Sequence, residues 1–269
     1  MFRSRVPMIV WLTAAMLVSL APLSGQGGPV GGRLPDAPKS EKPPKPTPRL
    51  ADGHPDLGNG KGTWNPRTVV NLSGGGRQGP ARSPVERQVE IPFLPWSKAY
   101  YEKAQANLAI DDPEARCLPP GVPRMTATPF PFQIFQLPDR VMFAFEGGAH
   151  MWRQIPTDGR PHSKDPNPTY LGESVGHWEG DTLVVDVIGF NERTWLDQDG
   201  HPHSDKLHVI EKYTRTDEMT LHFEVMIDDP GAYAEKWSNS YTIPWVPGGE
   251  LMEYVCQENN QDLYHMAGK

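Results

Sequence analysis

The sequence predicts a mainly-β chain, either an antiparallel barrel or a sandwich of two packed sheets, with one short helix ahead of the strands. Three observations carry this. After residue 131, apolar and polar side chains alternate in runs of roughly 5–10 residues, the length of ordinary strands. Short turns rich in Gly, Pro and Asp separate the runs. Only one stretch has helical periodicity. With 30 Pro and 26 Gly in 269 residues the chain is too turn-rich for a helix bundle. With 37 % hydrophobic residues it is too apolar to be disordered throughout.

Taken in order, residues 1–25 read as a secretory signal. Arg3 and Arg5 precede the apolar run Met8–Leu20, and Leu23-Ser24-Gly25 offers small residues for cleavage. The run is shorter than the roughly 20 residues of a membrane-spanning helix. Removing Arg3 and Arg5 from the 26 basic residues leaves 24 against 33 acidic ones, a formal charge of −9. No basic block stands out, which argues against nucleic-acid binding and against attachment to an anionic membrane. Residues 26–50 hold seven prolines and almost no large apolar side chain, the composition of a flexible tether. Residues 51–94 read as a loop-rich extension anchored by Trp64, with a Gly-rich loop over 73–86.

Residues 95–269 read as the folded domain. From Pro95 to Leu108 the spacing of Tyr101, Ala104 and Leu108 predicts a helix with Ser97 as its N-cap. Pro113, Pro119, Pro120 and Pro123 then force an extended connection. Strands follow in meander order: FQIFQL and RVMFAFEG about Pro138-Asp139, HMWRQI, SVGHWEG and DTLVVDVIGF about Gly180, KLHVIEKYTRT and EMTLHFEVMID about Asp217, then SYTIPW and ELMEYVCQE. Closure of such a set gives a calycin- or lipocalin-like barrel or a sandwich. Leu183, Val185 and Val187 share one strand face, and Asp186 takes the other. Leu221, Phe223, Val225 and Ile227 oppose His222, Glu224 and Asp228 in the same way. Either face could be internal. Cys117 and Cys256, the only cysteines, pair most simply as a disulfide in an oxidising compartment.

Three groups of residues carry the chemistry a site would need. His201, His203 and His208, with Glu211 beyond, are a suitable set for a divalent metal such as zinc, copper or iron, although the spacing is not that of a cupin. The competing reading is a solvated loop. Arg153, Arg160 and His162 could grip a carboxylate or sulfate, with Tyr170 in the same polar loop; Asp158 there is first of all a turn residue. Asp186 sits in mid-strand, where an acid needs a partner, and Arg193, Trp195 and Asp197 follow in the next loop. No GxSxG elbow, HExxH, phosphate loop or DxDxDG calcium loop is present. NLS at Asn71 is a glycosylation sequon only in a host that uses it.

The wording of DGHPDL, DDPEARCLPPGVPRM, IPTDGRPH, GHWEGDTLVVDVIGFNERTWLD, GHPHSDKLHVIEKY, IDDPGAY and EYVCQENN resembles a family of secreted bacterial proteins, often present in many copies per genome. The resemblance spans most of residues 50–265 and implies secretion without naming a reaction. The expected protein is therefore secreted or periplasmic, with no membrane span after signal cleavage. The leading expectation is an enzyme acting on a small organic molecule by general acid–base chemistry: a lyase, isomerase or hydrolase. His203 and His208 would move protons or hold a metal, Asp186 and Glu211 would orient them, and Arg153 and Arg160 would hold a substrate anion. The alternative is a non-catalytic small-ligand-binding protein of the cell envelope, and a third reading is a structural envelope protein.

Overall fold

The computed structural model describes residues 43–75, 84–107 and 110–258. The expected signal peptide, the first part of the expected tether, most of the Gly-rich loop and Leu108 lie outside these residues. Among the described residues nine strands form one antiparallel sheet: β1 (Gly62–Trp64), β2 (Phe132–Leu137), β3 (Arg140–Phe145), β4 (Trp152–Pro156), β5 (Glu173–Glu179), β6 (Thr182–Ile188), β7 (His208–Arg215), β8 (Thr220–Asp228) and β9 (Trp237–Pro247). Their order is β4-β3-β2-β1-β9-β8-β7-β6-β5. The two edge strands return to each other. Arg153 on β4 donates from Nε to Ser174 Oγ on β5 at 3.0 Å. Gly176 on β5 passes so close to β4 that a Cβ there would lie 2.7 Å from Ile155 Cγ2. The sheet is thus a nearly closed barrel, which leaves little edge exposed to a foreign strand.

Period-two alternation decides which face is internal. Leu183, Val185 and Val187 on β6 and Leu221, Phe223, Val225 and Ile227 on β8 are buried, whereas Asp186, His208, His222, Glu224 and Asp228 face outward and are more exposed. The interior is filled by aromatic rings. Phe143, Tyr213, Phe223 and Tyr241, from β3, β7, β8 and β9, follow one another at centroid separations of 5.1, 5.0 and 5.1 Å. These are ordinary distances for tilted aromatic pairs in a core.

Strand order departs from a simple meander at one place. Trp64 on β1 pairs with Trp245 of β9 and with Phe132 of β2, so the anchor expected from the sequence is itself a strand that fills the gap between two halves of the barrel. Trp64 is fully buried, and its indole N–H donates to Leu57 O at 2.8 Å. Only glycine fits at position 62, because a Cβ would sit 2.3 Å from Val246 O. The last expected strand, ELMEYVCQE, is not one: residues 251–258 are irregular and end in a turn. With β1 on one side of β9 and β8 on the other, no edge remains there for it to join. Cys256 is instead bonded to Cys117, as expected from the cysteine count, with Cα atoms 5.6 Å apart.

Helix α1 (Pro95–Ala106) is present, but its N-cap is Leu94 and not Ser97. Pro95 occupies the first turn, where a missing N–H costs nothing. Ser97 lies one turn in, and its hydroxyl donates to Leu94 O and Ala232 O, fixing the helix to the barrel. A second helix, α2 (Gly147–His150), is a single turn between β3 and β4. Residues 43–50, placed by composition in the tether, lie along the β7–β8 end of the barrel. Thr47 Oγ1 donates to Arg215 O at 2.7 Å, and Arg49 pairs with Asp181 at 2.6 Å. Among the described residues no helix is long and apolar enough to cross a membrane.

Candidate functional site on the outer barrel wall

Asp186 lies at the middle of β6 and points outward, in register with Val175 on β5 and Ile210 on β7. His208 opens β7 on the same face, and His162 descends from the loop between β4 and β5. Both imidazoles meet one oxygen: His162 Nε2 and His208 Nε2 each lie 2.9 Å from Asp186 Oδ1. The chain of charges continues on both sides. His162 Nδ1 is 3.1 Å from Glu173 Oε1, while His208 Nδ1 is 3.8 Å from Asp228 Oδ2, which Lys236 Nζ approaches to 2.8 Å. Hydrogen bonds from Ser163, and after them from His162, hold the Glu173 carboxyl below the usual carboxylate range. Asp186 and His208 keep about a third of their side-chain surface exposed, 33 % each, so the group is reachable from solvent.

Beside this cluster the outer faces of β7, β8 and β9 and the segment through Glu86 and Arg87 enclose a shallow groove of about 610 Å³. Its floor includes Ile210 and Met226, and Lys212, His222 and Glu224 line it. Ile210 is the strand neighbour of Asp186 and lies two residues from His208, so the groove adjoins the cluster. His222 is also held by carboxylates, with Nε2 3.0 Å from Glu86 Oε1 and Nδ1 3.5 Å from Glu224 Oε1.

The other residues singled out from the sequence occupy different settings. His203 is buried. Its Nε2 is 2.8 Å from Thr194 Oγ1 and its Nδ1 3.0 Å from Ser204 O, and burial pushes its pKa down. His201 is fully buried, with Nδ1 2.8 Å from Asp197 and its ring stacked on Tyr101 at 4.4 Å. Burial alone would raise the Asp197 carboxyl, but His201 and the Leu72 N–H together hold it below the usual range. Trp195 packs on Ala104 of α1 and donates its indole N–H to Tyr100 Oη at 3.1 Å. Arg153 and Glu211 form an ion pair of 2.6 Å inside the barrel, where Tyr213 Oη donates to Glu211 at 3.0 Å. Arg160 is exposed and clasps Asp158, whose carboxyl that contact lowers to about 2. Arg193 is exposed and Tyr170 half-buried, both away from the groove lining.

Of the residues singled out from the sequence, then, the fold brings His162, Asp186 and His208 together on the outer wall, pairs Arg153 with Glu211 and Asp197 with His201 in two separate buried places, and leaves the others apart. His201, His203 and His208 do not converge, and among the described residues no group of three or more His, Cys, Asp or Glu side chains is arranged as it stands to hold a metal ion. Glu173 and Lys236 were not singled out from the sequence, and Asp228 was placed there only on the polar strand face. Asp228 had a usable signal, since counting back from the Asp217 turn along β7 and β8 sets it opposite His208. Glu173 had none, because its contact depends on the path of the polar loop. Asn71, the sequon residue, is buried and donates to Asp199, so a glycan would not fit there. No protein-family model, curated protein or solved structure matches this chain.

Proposed function

We propose that the protein is a secreted enzyme that performs general acid–base chemistry on a small polar molecule at the outer wall of the barrel. One observation carries the reading: two imidazoles share a single, partly exposed carboxylate oxygen on Asp186, whose strand neighbour Ile210 lines the groove. Asp186 accepts the Nε2–H of His208 and so fixes the ring and its tautomer. The far nitrogen, Nδ1, stands 3.8 Å from Asp228, too far for a hydrogen bond, and is free to take or give a proton. His162 is engaged at both nitrogens and holds Asp186 in place. Lys212 supplies the groove with a cation for an anionic substrate group. Secretion is supported by the signal-like start of the sequence and by the disulfide.

The test is turnover of a panel of chromogenic esters, lactones and sulfates, with substrate-induced imidazole NMR shifts recorded in parallel. His208→Gln and Asp186→Asn are expected to reduce turnover by about 10²–10⁴-fold, the range for loss of a positioned acid or base. Turnover that survives His208→Gln, or a panel giving neither turnover nor a shift at His208, overturns the reading. A shift without turnover identifies the small-ligand-binding alternative.

A further inference from the structure

The cluster on the outer wall has a property that acid–base chemistry does not use. His162 turns both nitrogens on carboxylates, Nδ1 on Glu173 at 3.1 Å and Nε2 on Asp186 at 2.9 Å. A neutral imidazole has one N–H, so one of those contacts would set a bare lone pair against a carboxylate oxygen. A metal ion on one nitrogen would take up that lone pair and leave the N–H for the other carboxylate.

From this geometry we infer that His162 Nε2, His208 Nε2 and the Asp186 carboxylate form a site for a divalent transition metal. Two imidazoles and one carboxylate, with the remaining positions open to solvent, suit zinc and its neighbours better than calcium or magnesium. The flanking groups fit as well. Ligating imidazoles commonly direct the other ring nitrogen to a carboxylate, and here Glu173 and Asp228 stand on those sides, the second at ion-pair distance. As the side chains stand, Asp186 Oδ1 itself occupies the point on which the two nitrogens converge. Binding therefore requires the carboxylate to turn aside about its own side-chain bonds, which its partial exposure allows. His201 and His203 take no part.

The inference concerns the same side chains as the proposed function but does not depend on turnover. Untagged protein lacking residues 1–25 is titrated with Zn²⁺ at pH 7.5 by calorimetry, and the stoichiometry is read by native mass spectrometry. One Zn²⁺ per chain is expected. Glu173→Gln should weaken it about 10–100-fold, the usual effect of losing a carboxylate behind a ligand. His162→Gln, His208→Gln and Asp186→Asn should each weaken it by more. His222→Gln, which removes a single imidazole between two other carboxylates, should leave it unchanged. Near-UV circular dichroism shows whether each variant is folded; Asp186→Asn preserves side-chain size and serves if a histidine variant is not. Failure to bind one Zn²⁺ at tens of micromolar, or unchanged affinity in a folded His162→Gln/His208→Gln double variant, overturns the inference. Turnover by metal-free protein with no Zn²⁺ site would sink the metal and keep the acid–base reading; a Zn²⁺ site without turnover would do the reverse.

Discussion

Asp197 is a carboxylate with no exposure to solvent, and hydrogen-bond partners reach both of its oxygens. Leu72 N–H donates to Oδ2 at 2.8 Å, Asp199 N–H to Oδ1 at 3.1 Å, and His201 Nδ1 lies 2.8 Å from both oxygens. The Asp199 contact is a side chain bonding the backbone two residues on, the usual habit of Asp in a turn. From the sequence, Asp197 was an equally good candidate for substrate binding, because a polar loop does not reveal which of its acids turn inward. Hydrogen bonds to a buried charged group are typically worth about 1.5–3 kcal/mol. Asp197→Asn is expected to lose about 2 kcal/mol in urea unfolding at pH 7, because Asn can still accept from Leu72 but offers His201 no charge. The pH dependence has a definite sign. The folded-state pKa of Asp197 is depressed, so its contribution is complete above the unfolded value, about 4, and is lost as pH falls through the folded value. The gap between the natural protein and Asp197→Asn should stay constant above about pH 5 and shrink below about pH 4. A gap that widened on acidification would show that the carboxylate is not the stabilising form.

Strand pairs separated by short turns were legible because two local signals agree there. The β5–β6 hairpin turns at Gly180, whose φ of 59° suits glycine, and alternation continues without slip through Trp178↔Leu183 and Val175↔Asp186. The same holds for β7–β8 about Asp217. What local signals could not reach is contact between elements distant in sequence. β1 is three residues long and carries no alternation of its own, so its place between β9 and β2 is set by Trp64 finding Trp245 and Phe132. The seam between β4 and β5 is likewise a tertiary fact, and the strands approach closely at Gly176. Its backbone is extended, so an added methyl meets only a steric objection, from Ile155 Cγ2. Gly176→Ala is expected to destabilise the barrel by about 1–3 kcal/mol, the cost of overpacking a filled core. Because the objection comes from one side chain, the cost should largely vanish in an Ile155→Ala background, although that change is itself destabilising. A double-mutant cycle by chemical denaturation measures the coupling. Additive effects would place the strain elsewhere than at the seam.

At the scale of the whole molecule, the barrel fills its own interior and keeps its reachable titratable clusters outside. Phe143, Tyr213, Phe223 and Tyr241 occupy the space in which a lipocalin-like carrier would hold a ligand, while His162, Asp186 and His208 lie on the opposite side of the same sheet. The face assignment left open by the alternating sequence is settled by this packing. Those aromatic positions have to be inside, and a period of two then sends Asp186, His208, His222, Glu224 and Asp228 out, while Glu211 stays inside with Arg153. The covalent tie at the C-terminal end acts on this whole. Residues 251–258 add no strand, yet Cys256 joins them to Cys117, 139 residues earlier, so the bridge spans the sequence of every strand but β1. A cross-link closing so long a loop removes much of the freedom of the unfolded chain, and its loss typically costs about 2–5 kcal/mol. Replacing both cysteines by serine should therefore lower the melting temperature by roughly 5–15 °C for a chain of this size. The native strands need no bridge to hold their register, so barrel circular dichroism and the imidazole NMR signals of His162 and His208 should remain those of the natural protein at 25 °C. Thermal melts of the natural and double-serine proteins, with and without reductant, provide the comparison. If reductant lowers the double-serine melt as much as the natural one, the loss does not arise from the bridge. If the two melts coincide, the bridge contributes nothing to equilibrium stability.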